Sequence, residues 1–262
     1  MVLSKNLFEL IHRYGLSSTA AKGIIELKFN RDSLYLLDVK TPGYPIERFV
    51  HHYMIKGGTW THSEDVCPIN TYERELREEI IALNNESEEL ELIKWMVNSL
   101  IKTAKPLADY FYLIPQKVHK KKNKDPMTSI ETIFYSKLDG IELCDKLKIN
   151  NKSSTESISN LTYHFGLRSP ESKIIFISEE DYKNGLTGQF GMGDDQIITD
   201  YIKIHKGYNP KIKLIDGIKI IKLNSNPLLN YSEKEFFEFL TINPAKKGNM
   251  SDDSFYAPYR DT

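Results

Sequence analysis

The chain has 262 residues, 40% of them hydrophobic and 27% charged, with 35 basic against 36 acidic side chains and a formal net charge of -1. That length allows one large domain or two small ones with ample core, and the even charge balance argues against bulk attraction to nucleic acid or to an anionic membrane. Cys67 and Cys144 make no disulfide framework, no apolar run is long enough to span a bilayer, and the first residues lack the pattern of a secretory signal, so a cytoplasmic location is expected.

Leu3, Leu7, Leu10, Ile11 and Tyr14 stand at helical spacing ahead of Gly15, which predicts a docking helix within residues 1–18. Two apolar runs, 20–29 and 33–40, flank Asn30-Arg31-Asp32 and predict a hairpin. Residues 41–45 hold two prolines and a glycine and read as a loop; 46–55 reads as a strand leading into Lys56-Gly57-Gly58, with Lys56 expected to face solvent. A helix is expected to start near Thr71, with Asn70 and Glu73 imitating a capping box. Tyr72, Leu76, Ile80 and Leu83 form its buried stripe, and it is expected to run on through Ala82 and Leu83 to Asn84-Asn85. A second helix at 86–105 places Leu90, Ile93, Met96, Val97, Leu100 and Ile101 at helical spacing.

Strands are expected at 108–114 and 130–138, joined by the most basic run of the chain, residues 116–126. That run reads as a hairpin tip kept soluble by charge; no aromatics alternate with its lysines to stack bases, so contact with nucleic acid is left unsupported. Residues 150–160 form a polar loop; 161–167 and 173–178 read as closing strands; the glycine-rich 185–195 reads as a lid or pocket rim; 194–205 reads as a helix. A hairpin over 211–223, a helix around Phe236–Leu240 and a polar tail close the chain, and none of them carries a motif that names a function.

The chemistry is concentrated in residues 57–81. Glu75, Glu78 and Glu79 sit at i, i+3 and i+4, so a helix puts three carboxylates on one face, with Arg74 as the only cation beside them in the segment able to reach Glu78 at i+4. Such a face repels itself unless something positive joins it, and hard divalent cations take oxygen ligands while leaving positions for phosphate. The reading fails if the three side chains point apart, or if arginine and lysine tie them up with no room for an ion.

These residues resemble the Nudix box, G-x5-E-x7-R-E-U-x-E-E-x-G-U, where U is a bulky aliphatic. Gly58 precedes Glu64 by five intervening residues, and Arg74-Glu75-Leu76-Arg77-Glu78-Glu79 fits the core without substitution. Nine residues in place of seven separate Glu64 from Arg74, and Ile81 stands where the family has its second glycine. A longer loop absorbs the first departure at little entropic cost. The resemblance implies an α/β fold, a Nudix-like α/β/α sandwich with a mixed sheet and additional helices. It would occupy residues 19–206, with the helix at 86–105 an insertion and 207–262 packed on the same domain.

The resemblance further implies a Mg2+- or Mn2+-dependent hydrolase of a diphosphate linkage in a nucleoside diphosphate derivative. Glu75, Glu78 and Glu79 would be its metal ligands and Glu64 a further ligand or an orienting group. Arg74 would orient the helix and loop, and Gly57 and Gly58 would shape the substrate loop. The alternative is a Nudix-fold module that binds a nucleotide or a protein without cutting it. Glu179 and Glu180 are candidates for a late water-activating acid, with helix N-terminal acids an equal explanation, and His62 for a substrate contact. Trp60, Tyr110, Tyr112, Phe134 and Phe190 are candidates to stack on a base, with packing the better expectation for each. A nucleotide-type small molecule is the expected partner, with no membrane contact; the oligomeric state is open.

Overall fold

Strands β1 (Ser18–Lys28) and β2 (Ser33–Lys40) form the expected hairpin, closed by the Phe29 N–H donating to the Asp32 carbonyl at 2.9 Å. In the computed structural model the described residues are 18–44, 47–61, 65, 67–82, 86–114, 127–149, 161–162, 164–167, 172–178, 180–181, 189–191, 194, 197–198, 201 and 219–222. The docking helix, His62, Glu64, the basic run, the polar loop 150–160, Glu179 and the C-terminal helix and tail lie outside them.

Along one edge β1 pairs in parallel with β7 (Met127–Asp139); the other edge is shared antiparallel between β2 and β4 (Lys56–Thr59). β7 pairs with β6 (Lys105–Ile114), which carries β11 (Lys219–Lys222) beyond it. On the other side β2 pairs with β9 (Ser172–Ser178) and with the short β3 (His52–Met54), and β3 pairs with β10 (Gln189–Phe190). The result is a mixed sheet of nine strands among the described residues, matching the expected α/β class.

Alternation along the strands sends side chains to two cores. Ala21, Ile25, Leu27, Leu34 and Leu36 pack under α1 (Pro68–Glu79) and α2 (Glu86–Thr103), meeting Tyr72, Leu76, Ile93, Met96, Val97 and Leu100. On the opposite face Ile24, Tyr35, Leu37, Tyr110, Tyr112 and Ile133 meet Phe190, Ile197, Ile198 and Tyr201. Leu90, expected in the α2 stripe, is exposed. No helix among the described residues is long and apolar enough to cross a membrane.

Several elements differ from the sequence expectation. Residues 46–55 are not one strand: a 3-10 turn (Glu47–Phe49) and His51, at φ 67, break the run before β3 begins. α1 begins at Pro68, whose missing N–H is harmless in a first turn, and the cap position Cys67 makes no side-chain cap bond. The helix ends at Glu79, because Ile80–Ala82 extends as β5 and pairs antiparallel with β8 (Phe165–Leu167). Two successive isoleucines fit that pairing, and tertiary pairing overrides the helical period.

Among the described residues of 161–167 the strand is Phe165–Leu167, and it joins β5, not the main sheet. Of the glycine-rich segment 185–195 the described Phe190, Gly191 and Asp194 are buried, and most of the rest lies outside the described residues. An unexpected short helix, α3 (Gly140–Lys146), follows β7, capped by the Asp139 carboxylate accepting from the Ile141 and Glu142 N–H groups at 2.9 and 3.0 Å.

Candidate functional site

The β4 strand lies against the C-terminal half of α1, and two glycines set how closely. Gly57 has φ 148, a conformation L residues rarely adopt, and a Cβ there would overlap the Ala21 carbonyl. At Gly58 a Cβ would overlap the Glu75 carboxyl group itself. The bare backbone of β4 is therefore what lets Glu75 lie against it. Tyr72, stacked on Phe134 at 5.4 Å between ring centroids, and Leu76 are fully buried beside Glu75 on the helix surface and hold its axis fixed.

Arg74 joins helix, strand and loop. Its Nη1 lies 2.9 Å from Glu75 Oε1 and 3.0 Å from Glu78 Oε2. Its Nε and Nη2 each donate to a different oxygen of Asp65 at 3.1 Å, and Nη2 also donates to the Thr59 carbonyl at 2.8 Å. The Thr61 N–H donates to Asp65 Oδ2 at 2.8 Å, and the Trp60 indole donates to the Asp65 carbonyl at 2.9 Å. Burial alone would raise the Asp65 carboxyl, but the Arg74 and Thr61 hydrogen bonds outweigh it and hold the group below the usual carboxylate range.

Lys56 is not solvent-facing. It is wholly buried, its ammonium 2.6 Å from Glu79 Oε2 and 2.9 and 3.1 Å from the two oxygens of Asp38. Burial opposes its charge, yet Asp38 and Glu79 more than compensate and raise its pKa.

The three glutamates thus share one helix face, as the spacing predicts, but each already has a cationic partner, Arg74 for Glu75 and Glu78, Lys56 for Glu79. These pairs engage one oxygen of each carboxylate. Exposure rises outward: the Glu75 side chain is 12% exposed, Glu79 29% and Glu78 55%. Burial, then the charge of Glu79, pushes Glu75 up to about 7, and Arg74 only partly offsets this. Among the described residues no three acids, histidines or cysteines converge on one point able to hold a metal.

Sequence reasoning missed Asp65. Glu64 lies outside the described residues, and the loop acid that clasps Arg74 is its neighbour. Counting offers the one available signal: Asp65 has six residues between it and Gly58 and eight between it and Arg74, which splits the two-residue excess evenly. Also missed was a buried cluster on the opposite face of the sheet. Lys22 lies 2.9 Å from both Glu131 Oε2 and Asp194 Oδ1, and Asp194 Oδ2 accepts the Ile55 N–H at 2.9 Å. Burial drives Asp194 up to about 7 against the pull of Lys22.

Of the late acids, Glu180 is exposed and Asp181 accepts from the Ser178 N–H and hydroxyl at 2.8 and 2.7 Å, capping the end of β9. The aromatic candidates pack as expected: Tyr110, Tyr112, Phe134 and Phe190 are buried, and Trp60 is partly buried with its N–H on Asp65.

No protein-family model matches the sequence, and no curated protein matches it. Solved structures of similar fold include the NUDIX domain of Shewanella oneidensis NrtR complexed with ADP ribose, at 10% identity over 71% of this chain and 87% of that one, TM-score 0.42. They also include a bifunctional NMN adenylyltransferase/ADP ribose pyrophosphatase from Francisella tularensis complexed with AMP and a Mn ion, at 12% identity over 78% and 47%, TM-score 0.41. A third is a C. elegans Ap4A hydrolase binary complex, at 15% identity over 86% and 98%, TM-score 0.33. At such identities and scores the likeness carries nothing about activity.

Proposed function

We propose that the chain is a divalent-cation-dependent hydrolase that cleaves a diphosphate linkage in a nucleoside diphosphate derivative. The observation that carries this reading is the acid face of α1, where three carboxylates, Glu75, Glu78 and Glu79, share two cationic partners, Arg74 and Lys56. Unengaged carboxylate oxygens and a surplus of negative charge fit a hard cation such as Mg2+ or Mn2+, with Glu75, Glu78 and Glu79 as the candidate ligand set and Glu64 a further one. A bound ion there would offset phosphate charge and lower the pKa of water.

The chain's own residues do the rest. Asp65 fixes the Arg74 guanidinium at two points, and Arg74 in turn orients Glu75 and Glu78. Gly58 allows the β4 backbone to approach Glu75.

A second reading is favoured by one specific observation, that Arg74 and Lys56 already pair with all three acids. This suits a module that binds a nucleotide without cutting it. A panel of dinucleotide, sugar-nucleotide, capped-RNA and nucleoside triphosphate substrates with Mg2+ or Mn2+ decides between them. Turnover that vanishes in Glu78→Gln supports the hydrolase; tight binding with no phosphate or nucleotide product supports the module.

A further inference from the structure

We infer that Asp194 is a positioning residue for the glycine strand β4: held by Lys22, it fixes where the chain crosses from β2 to β1, and with that the approach of Gly57 and Gly58 to Glu75. The role rests on reading the acid face of α1 as the functional site, and it brings to that site a residue from the opposite face of the sheet.

The need arises at Ile55. Met54, the last residue of β3, faces Asp38 of β2 across one ladder, whereas Lys56, the first of β4, faces Gly23 of β1 across another. Ile55 belongs to neither ladder and is 2% exposed, so its N–H requires an acceptor from elsewhere. Asp194 Oδ2 supplies it at 2.9 Å, from 139 positions further along the chain. The acceptor is a carboxylate that is itself wholly buried, so water does not compete for the bond.

Asp194 is in turn held from two sides. Its Oδ1 takes the Lys22 ammonium at 2.9 Å, and Lys22 also lies 2.9 Å from Glu131 Oε2 and 5.3 Å from the centre of the Tyr112 ring. The Asp194 N–H donates to the Gly191 carbonyl at 3.1 Å, and the Gly191 N–H donates to the Tyr53 carbonyl at 3.0 Å. Lys22 is also the register partner of Gly57. These contacts close a ring that runs from the Lys22 side chain through Asp194 to Ile55, along β4 to Gly57, and back to the Lys22 backbone. The far end of β4 is held from the other face, where the Thr59 carbonyl accepts from Arg74 Nη2 at 2.8 Å. Gly58, where Glu75 packs against bare backbone, lies between the two holds, so a displaced Asp194 moves the strand on which Glu75 rests.

Amide spectra of the isotope-labelled full chain at pH 8, above the value of about 7 to which burial drives Asp194, test this without reference to turnover. Asp194→Asn and Glu131→Gln each take one negative charge from Lys22, but of the two only Asp194 touches Ile55. Asp194→Asn is expected to speed exchange of the Ile55 amide by about tenfold or more and to shift the Gly57, Gly58 and Arg74 Nε–H resonances. Glu131→Gln is expected to leave that exchange within about threefold and those resonances in place. Ile197→Ala thins the same buried layer away from Ile55; it is expected to lower the urea midpoint without moving the glycine resonances. Unmoved Gly57 and Gly58 resonances in Asp194→Asn overturn the role given to Asp194, as do shifts of equal size in Glu131→Gln or Ile197→Ala. If Asp194→Asn does not fold, Asp194→Glu keeps the charge and displaces the carboxylate by one methylene, and unmoved glycine resonances there overturn the role equally. Because the readout is spectroscopic, absence of turnover in the substrate panel overturns only the hydrolase reading.

Discussion

Arg74 and Asp65 meet at two points, Nε and Nη2 each 3.1 Å from a different carboxylate oxygen, and this pair fixes the loop after β4 to the start of the acid face of α1. Two parallel charge-assisted bonds specify orientation as well as distance. The Asp65 side chain is 1% exposed, so the pair is little screened by water.

Asp65→Asn is expected to cost about 2–3 kcal/mol, because it removes the charge while leaving Arg74 partly buried. Since the Asp65 pKa is depressed in the folded state, its contribution is present above the unfolded value near ~3.9 and is lost as pH falls through the lower folded one. Urea unfolding from pH 7 down to pH 2 checks both points: the unsubstituted protein should lose this increment in acid, and the Asn variant should lack it throughout.

Glu75 has the opposite sign. Its pKa rises from an ordinary 4.5 to about 7 on folding, so between those values the folded protein holds a proton that the unfolded chain releases. Stability therefore falls as pH rises through that window, by about 3 kcal/mol at most once pH exceeds 7. Glu75→Gln should be more stable than the unsubstituted protein at pH 8 and close to it at pH 5, while losing activity. Denaturant midpoints at the two pH values measure this; equal destabilisation at both would mean that the Arg74 pair matters more than burial.

Glu78 is mostly exposed, and its i,i+4 pair with Arg74 is a weak stabiliser. Glu78→Gln should change unfolding free energy by no more than about 0.5 kcal/mol. Its kcat on any substrate found in the panel should nevertheless fall by about 100-fold or more, as expected when a charge acting on the transition state is removed. Parallel thermal melts and initial rates separate the two effects.

The neighbouring glycines should fail in different ways. Gly57→Ala meets the Ala21 backbone at a left-handed φ and should destabilise the protein by about 2–4 kcal/mol. Gly58→Ala meets only the end of the Glu75 side chain, which can rotate away, so a folded protein with at least about tenfold lower activity is expected. Melting curves and rates on the pair distinguish a backbone limit from a displaced carboxylate.

Much of the scaffold could be read from periodicity. The β1–β2 hairpin and the strands β6, β7 and β9 show as apolar runs, because the sheet has a core on each face, and α2 shows as helical spacing, because it buries one side. The end of α1 could not be read that way. Ile80 and Ile81 continue a helical stripe on paper but pair with Leu167 and Gly166, residues more than 80 positions further on.

By itself the sequence determined which residues share a face: Glu75, Glu78 and Glu79 fall together because 3.6 residues make a turn, and Tyr72 and Leu76 form the buried stripe that borders them for the same reason. Only the tertiary structure decided how those charges are compensated, with Asp65 on Arg74, Asp38 and Glu79 around Lys56, and Asp194 on Lys22. An ion pair depends on which strands lie side by side and how deeply they are buried. Neither quantity is carried by spacing along the chain, so a lysine that reads as surface became the buried partner of the acid face.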